Sequence, residues 1–308
     1  IGGGGRIPEA DILRGLKWLL EDDRWEQYGV RVLNVSVGGD FDEPWRRNGV
    51  SLAAEELNRR GVLIAAAAGN RGYDIILPPA QTPSVLTVGG VDDFNRRWSP
   101  LDMFAVLSTG VDEVARLDLY HHNWTEIEAT DGPLKKPEVL ALARWLPSPI
   151  LLPSPVLAEM VAIGKLRERL LAGENISLNE LRAFFSRLPT YRKRRVAVQY
   201  GAQRTEFWRL LRERMNSHKW VHPYYQHVDG TSVSVAQVSA VAAQMVQANP
   251  ALMPAQIKQL IIETALPLPR QPIERTGAGL IQPTRAVAAA MRAEGGPLGG
   301  LPFSGTLP

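Results

Sequence analysis

Between residues 8 and 22, Ile12, Leu13, Leu16, Leu19 and Leu20 recur at helical spacing among charged neighbours, and Pro8 suits a first turn, so an amphipathic helix is predicted there. The β-branched run from Val30 to Val37 stops at Gly38 and Gly39 and predicts a buried strand that ends in a glycine turn. A second helical pattern, about Val50 to Arg60, passes through Gly61 into VLIAAAAGN, an apolar strand ending at Gly69 and Asn70. After a proline-rich loop comes SVLTVGGVDD, another apolar segment. Strand, helix, strand, loop and strand in this order predict an α/β fold with a doubly wound, mostly parallel sheet.

The texture changes near Asp118, where Pro133, Pro137, Pro147, Pro149, Pro153 and Pro155 interrupt the pattern. Helical periodicity returns at 156–172 and 178–188, the second stretch opened by Ser177 and Glu180 at capping-box spacing. Residues 118–222 are therefore expected to form a helical insertion between a first core segment, 1–117, and a second, 223–292. In that second segment, 232–248 is small and apolar on most faces and Pro254–Thr264 is amphipathic. Residues 293–308, rich in Gly and Pro, are expected to be a flexible tail.

Composition narrows the chemistry. With 308 residues, 45% hydrophobic and 22% charged, the chain can build a sizeable core, and its lack of cysteine excludes disulfide scaffolds, thiol catalysis and Cys-ligated zinc. The net charge of +3 is unevenly spread, because residues 182–219 hold eleven Lys/Arg against two acidic residues. Arg192, Lys193, Arg194 and Arg195, with Tyr191, Tyr200, Phe207 and Trp208 nearby, have the composition of a nucleic-acid patch. A solvated face or a protein-docking surface is the commoner meaning of such a run, and no nucleic-acid motif accompanies it, so nucleic acid is not an expected partner. No apolar run approaches the roughly 18–20 residues of a membrane span. The chain opens on Ile1 and four glycines, which reads as a cut through a longer protein, and nothing in it assigns a compartment.

Two segments carry candidate chemistry. In DGTSVSVAQVSAVAAQ, Ser232 follows Gly-Thr and precedes a helix, where free N–H groups and the positive dipole end favour developing negative charge; the same position equally suits a helix cap by Thr231 or Ser232. In AAAAGN, the Asn70 amide could donate to an oxyanion, or Asn70 could simply be a turn residue after Gly69.

Taken in order, VLNVSVGG, GVLIAAAAGN, LPPAQTPSVLTVGGVDD, DGTSVSVAQVSAVAAQMVQANPALMPAQIKQLIIETA and GAGLIQPTRAVAAA resemble the subtilisin-like serine peptidases, over roughly residues 8–116 and 224–291. The resemblance implies a serine endopeptidase that hydrolyses peptide bonds through an acyl-enzyme on Ser232. Asn70 and the Ser232 backbone N–H would hold the oxyanion. Ser36, Val37 and Gly38 would line the peptide cleft, and Ala67, Ala68 and Gly69 would form a wall of the S1 pocket. It implies no catalytic cofactor, allows structural calcium, and gives a peptide or protein as substrate.

Two departures qualify it. Ala236, Gln237 and Ala240 stand where the family has Pro-His and a Gly, and both alanines are better helix formers, so the helix is expected to survive. The family's Asp and His-Gly-Thr motifs, which precede the helix beginning near Pro8, are absent. His121, His122, His218, His222 and His227 lie in or beside the insertion in other contexts, and Asp92, Asp93 and Asp102 follow the wrong strand. The catalytic Asp and His are expected from an upstream segment acting as a partner; the alternative is a catalytically inactive binding or scaffold module on the same fold.

Overall fold

The computed structural model describes residues 7–39, 43–72, 74–92, 123–125, 134–152, 154–187, 211–216, 218–269 and 271–297. The elements begin with α1 (Glu9–Leu20), α2 (Arg24–Gln27), β1 (Val32–Val35), α3 (Gly49–Arg59), β2 (Leu63–Ala67) and β3 (Leu86–Val91). They continue with β4 (Asn123–Thr125), β5 (Leu134–Lys136), β6 (Val139–Leu142), β7 (Leu146–Pro149), α4 (Pro155–Leu171), α5 (Leu178–Arg187), β8 (Trp220–His222) and β9 (Tyr225–Val228). The chain closes with α6 (Thr231–Ala248), α7 (Pro254–Thr264), α8 (Ile273–Thr276) and α9 (Pro283–Arg292). It divides into two compact units, Ile1–Arg144 with Asp229–Pro308, and Trp145–Val228.

The first unit is built on a parallel sheet in the order β1-β2-β3-β6. Successive side chains of β2 leave on opposite faces, which is why a continuous apolar run was needed. Leu63 and Ala65 pack with Val235, Val238 and Ala242 of α6, while Ile64 and Ala66 pack with Ile12 and Leu16 of α1 and Val50, Ala54 and Leu57 of α3. Helices thus cover both faces, the doubly wound α/β arrangement expected from the sequence. Each large side chain buried here contributes about 1.5–3 kcal/mol by leaving water. The start of α3 is fixed locally, the Asn48 side-chain oxygen accepting from Ser51 N at 3.0 Å.

One strand falls outside the expected partition. Val139–Leu142 was placed in the insertion, yet it pairs with β3 through Val88↔Val139, Gly89↔Leu140, Gly90↔Ala141 and Val91↔Leu142. Val139, Leu140 and Ala141 are buried, so this short apolar run is core. Pro133 and Pro137 obscured it, because prolines just outside a strand look like the loss of one. Lys136, 2% exposed, precedes the strand; its Nζ donates to Val85 O at 2.7 Å and Thr82 O at 3.1 Å and meets Glu138 Oε1 at 2.6 Å. Lys258 of α7 reaches the same carboxylate oxygen at 2.6 Å. Burial pushes the Lys136 ammonium down to about 7, against the pull of Glu138. Burial also works to raise Glu138, but Lys136 and then Lys258 outweigh it and hold the carboxyl below its usual range.

The second unit begins at Trp145 rather than near residue 118, and it is not purely helical. Its strands form an antiparallel sheet in the order β7-β9-β8. Helices α4 and α5 accompany it, with Ile163, Leu166, Leu170, Ile176, Leu181 and Leu211 in a separate small core. The N-terminus of α5 carries the anticipated side-chain bond, Glu180 N donating to Ser177 Oγ at 3.2 Å. Buried Glu159 is paired with Arg214, and His218 Nε2 lies 3.0 Å from its Oε1. The basic run 192–195 and residues 298–308 of the expected tail lie outside the described residues. Among the described residues no helix is long and apolar enough to cross a membrane.

Candidate active site

The first unit brings together three segments that are far apart in sequence: the end of β1, the end of β2 and the start of α6. All three meet beyond the carboxyl ends of parallel strands, the usual place for a site in an open α/β sheet. Helix α6 begins at Thr231, with Gly230 as N-cap, so Ser232 sits in its first turn, where backbone N–H groups have no intrahelical acceptor. Neither hydroxyl is spent on capping. Thr231 Oγ1 accepts from Gly69 N at 3.1 Å and donates to Asn70 Oδ1 at 3.1 Å, and Ser232 Oγ donates to Ser36 O at 3.0 Å.

Asn70 is oriented from behind. Its Oδ1 accepts both the Thr231 backbone N–H, at 2.8 Å, and the Thr231 hydroxyl. With the carbonyl end of the amide engaged, the Nδ2 donors are turned the other way and can serve an external acceptor. Gly230 makes this approach possible: its φ is +122°, and a Cβ there would lie 3.2 Å from Asn70 Nδ2 and 3.3 Å from Oδ1. Any other residue at 230 would be strained and would crowd the amide.

Ser36 and Ser232 are joined reciprocally, since Ser36 Oγ donates to Ser232 O at 3.1 Å while Ser232 Oγ donates to Ser36 O. Ser36 is itself held by Asn34 Nδ2 at 2.7 Å, and Asn34 Oδ1 accepts from Ser239 Oγ at 3.0 Å, one helical register further along α6. Val37 and Gly38 continue the chain from Ser36, and the turn is pinned where Gly39 N donates to Pro78 O at 2.7 Å. Ala67 and Ala68 lead into Gly69 at the end of β2, with Ala68 N donating to Val88 O at 3.0 Å.

The substitutions within α6 leave it intact, as the unbroken helix to Ala248 shows. Gln237 Nε2 donates to Leu142 O at 2.7 Å, and Ser234 Oγ to the same carbonyl at 3.1 Å, stitching the helix to β6. Asp92 is buried and paired with Arg144 at 2.9 Å. His218, His222 and His227 belong to the second unit: His222 lies against Tyr224 and Tyr225, and His227 sits edge-on to Trp145. His121, His122, Asp93 and Asp102 lie outside the described residues. Among the described residues no group of three or more His, Asp or Glu side chains converges as a metal site. Sequence reasoning missed two residues, Thr231 and Asn34. The first was visible as the hydroxyl beside Ser232, but its use as a prop for Asn70 is a tertiary fact.

Comparison with known proteins agrees with this geometry. Residues 1–294 match the sequence profile of the subtilase family. A segment of 108 residues is 33% identical to the serine protease AprX of Bacillus subtilis (strain 168), covering 32% of this chain and 24% of that protein. Another, of 115 residues, is 32% identical to Subtilisin BL of Lederbergia lenta, covering 37% of this chain and 38% of that protein. The match therefore spans about a quarter to two-fifths of the length of these relatives. Among solved structures, the prenylagaramide maturation protease PagA superposes with a TM-score of 0.52 at 15% identity, over 94% of this chain and 70% of that one. The patellamide maturation protease PatA gives 0.50 at 19%, over 93% and 70%. At these identities the structural likeness speaks for the fold.

Proposed function

Since this chain belongs to the subtilase family, a family of serine peptidases, we propose that it carries the nucleophile and the oxyanion hole of an endopeptidase whose general base and orienting Asp lie on a segment outside residues 1–308. In this reading Ser232 Oγ attacks the scissile carbonyl, its proton passing to the His of that segment, and forms an acyl-enzyme that water then hydrolyses. Asn70 Nδ2 and the Ser232 N–H take up the negative charge on the tetrahedral oxygen, aided by the positive end of α6. The substrate runs extended along Ser36, Val37 and Gly38, with Ala67, Ala68 and Gly69 beside its P1 side chain.

The observation that carries the reading is the orientation of Asn70. A buried threonine is committed to holding the amide oxygen, which a plain turn residue would not need. Among the described residues the Ser232 hydroxyl donates to the backbone carbonyl of Ser36, a group that cannot abstract its proton. The reading is also consistent with β1, which among the described residues pairs only with β2 and so has a second edge on which a further strand could add.

The test is fluorophosphonate labelling of the full-length protein, with the modified peptide mapped by mass spectrometry. Labelling at Ser232 that disappears in Ser232→Ala supports the peptidase. A full-length protein that folds, contains the upstream Asp and His and yet leaves Ser232 unlabelled would instead be the binding or scaffold module.

A further inference from the structure

We propose that Arg144 is a positioning residue for Ser232, acting through Asp229. The inference rests on the role proposed above for Ser232. Arg144 is the last residue of the first unit before the insertion and Asp229 the first after it, three residues ahead of Ser232.

The root is tied at several points. Ala143 N donates to Val91 O at 2.9 Å, and Ala143 O accepts from Gly230 N at 2.6 Å, so the two connecting strands and the end of β3 run side by side. Across this backbone tie, Arg144 Nη1 donates to Asp92 Oδ2 at 2.9 Å and Arg144 Nε stands 3.6 Å from Asp229 Oδ2. The Asp92 side chain is 1% exposed, which makes it a fixed anchor, whereas those of Arg144 and Asp229 are 22% and 25% exposed. A planar guanidinium offers donors on different edges and so can hold two carboxylates at once, which a single ammonium cannot do in the same geometry. Pairing with Asp92 alone would be explained by the need to neutralise a buried acid. The reach to Asp229 is not required for that purpose, and it lands on the segment that aims Ser232.

The experiment is hydrogen exchange on the full-length protein, read on the peptide covering 230–233 and on a control peptide covering 254–264, alongside the rate of Ser232 labelling and the kinetics of peptide cleavage. Arg144→Gln removes a partner of buried Asp92 and risks the fold, so Asp229→Ala, which keeps the Arg144–Asp92 pair in place, is the deciding variant. Exchange at 230–233 should rise about tenfold with the control unchanged, labelling should slow by a similar factor, and kcat should fall while KM holds. Arg144→Lys should lie between wild type and Asp229→Ala. Unchanged exchange at 230–233, or an equal rise in the control peptide, overturns the proposal. If the wild-type protein does not label at all, the peptidase reading falls, and the exchange data still decide whether Arg144 restrains the turn.

Discussion

The second unit's ion pairs and the first unit's hydroxyl and amide cluster differ in what they bring together. In the second, buried Glu159 is paired with Arg214, while exposed Arg169 of α4 meets Glu174 and Glu180; the first pair matches a buried charge and the others tie α4 to α5. In the first, Ser36, Asn70, Thr231 and Ser232 come from segments separated by up to 196 positions and meet at one edge of the sheet. Stability needs only that charges be matched, whereas the proposed chemistry needs groups aimed at a common point. The groups of the proposed site all belong to the first unit, and the second is inserted where Ala143 O and Gly230 N are already bonded.

The sharpest way to break this comparison is to remove the second unit. Replacing residues 145–228 by a short linker should preserve cooperative thermal unfolding of the remainder in the full-length protein, because Ala143 and Gly230 are already bonded at 2.6 Å and closing a short loop there costs little. Replacing 118–222 should abolish it, since β6 is lost from the sheet. Cooperative melting of the longer deletion, followed by circular dichroism, would contradict the assignment of β6 to the core.

Next in size are the effects on catalysis. Asn70→Ala should lower kcat by about 10²–10³ with KM nearly unchanged, the loss expected when one oxyanion donor is removed. An unaltered kcat in a folded variant takes Asn70 out of the site. Thr231→Val keeps the shape but deletes the hydroxyl that holds Asn70 and receives Gly69 N, and should cost about three- to tenfold in kcat, in line with one net hydrogen bond. A loss as large as that of Asn70→Ala would mean that Thr231 touches the oxyanion directly.

The last effect is on stability and depends on pH. Lys136 titrates near 7 when folded, below the ordinary 10.5 of the unfolded chain. Between those values the unfolded state binds the extra proton, so stability should rise with pH from about 7 towards 10.5, and the penalty should be fully present below about 7. Urea midpoints measured across that window should climb in the wild type and flatten in Lys136→Met. Equal slopes in the two proteins would show that Lys136 is charged throughout.

Much of this was legible in the sequence, and the reason is physical. A central parallel strand must be apolar on both faces, and VLIAAAAGN announced β2 and the turn that follows it. Helix α6 was legible for a similar reason, its small apolar residues facing sheet and helices alike. β6 was not, because a four-residue strand fenced by prolines gives no periodicity to read. Nor could sequence show that Thr231 props Asn70, or that Arg144 reaches Asp92 and Asp229, since these depend on which chain ends the sheet brings together. The beginning of the second unit was misplaced for the same reason as β6, prolines having been read as the boundary when the chain had still to complete the sheet.

We propose that Ser232 takes its base from a segment outside residues 1–308, and fluorophosphonate labelling tests this. Residues 1–308 are expressed alone and together with the upstream polypeptide, in cis or as a separate chain, and each preparation is treated with a fluorophosphonate probe. The account predicts no labelling of the isolated chain, because the oxyanion hole cannot deprotonate Ser232, and labelling at Ser232 once the segment carrying Asp and His is present. Labelling of residues 1–308 by themselves would contradict it, since one of their own histidines would then have to be the base.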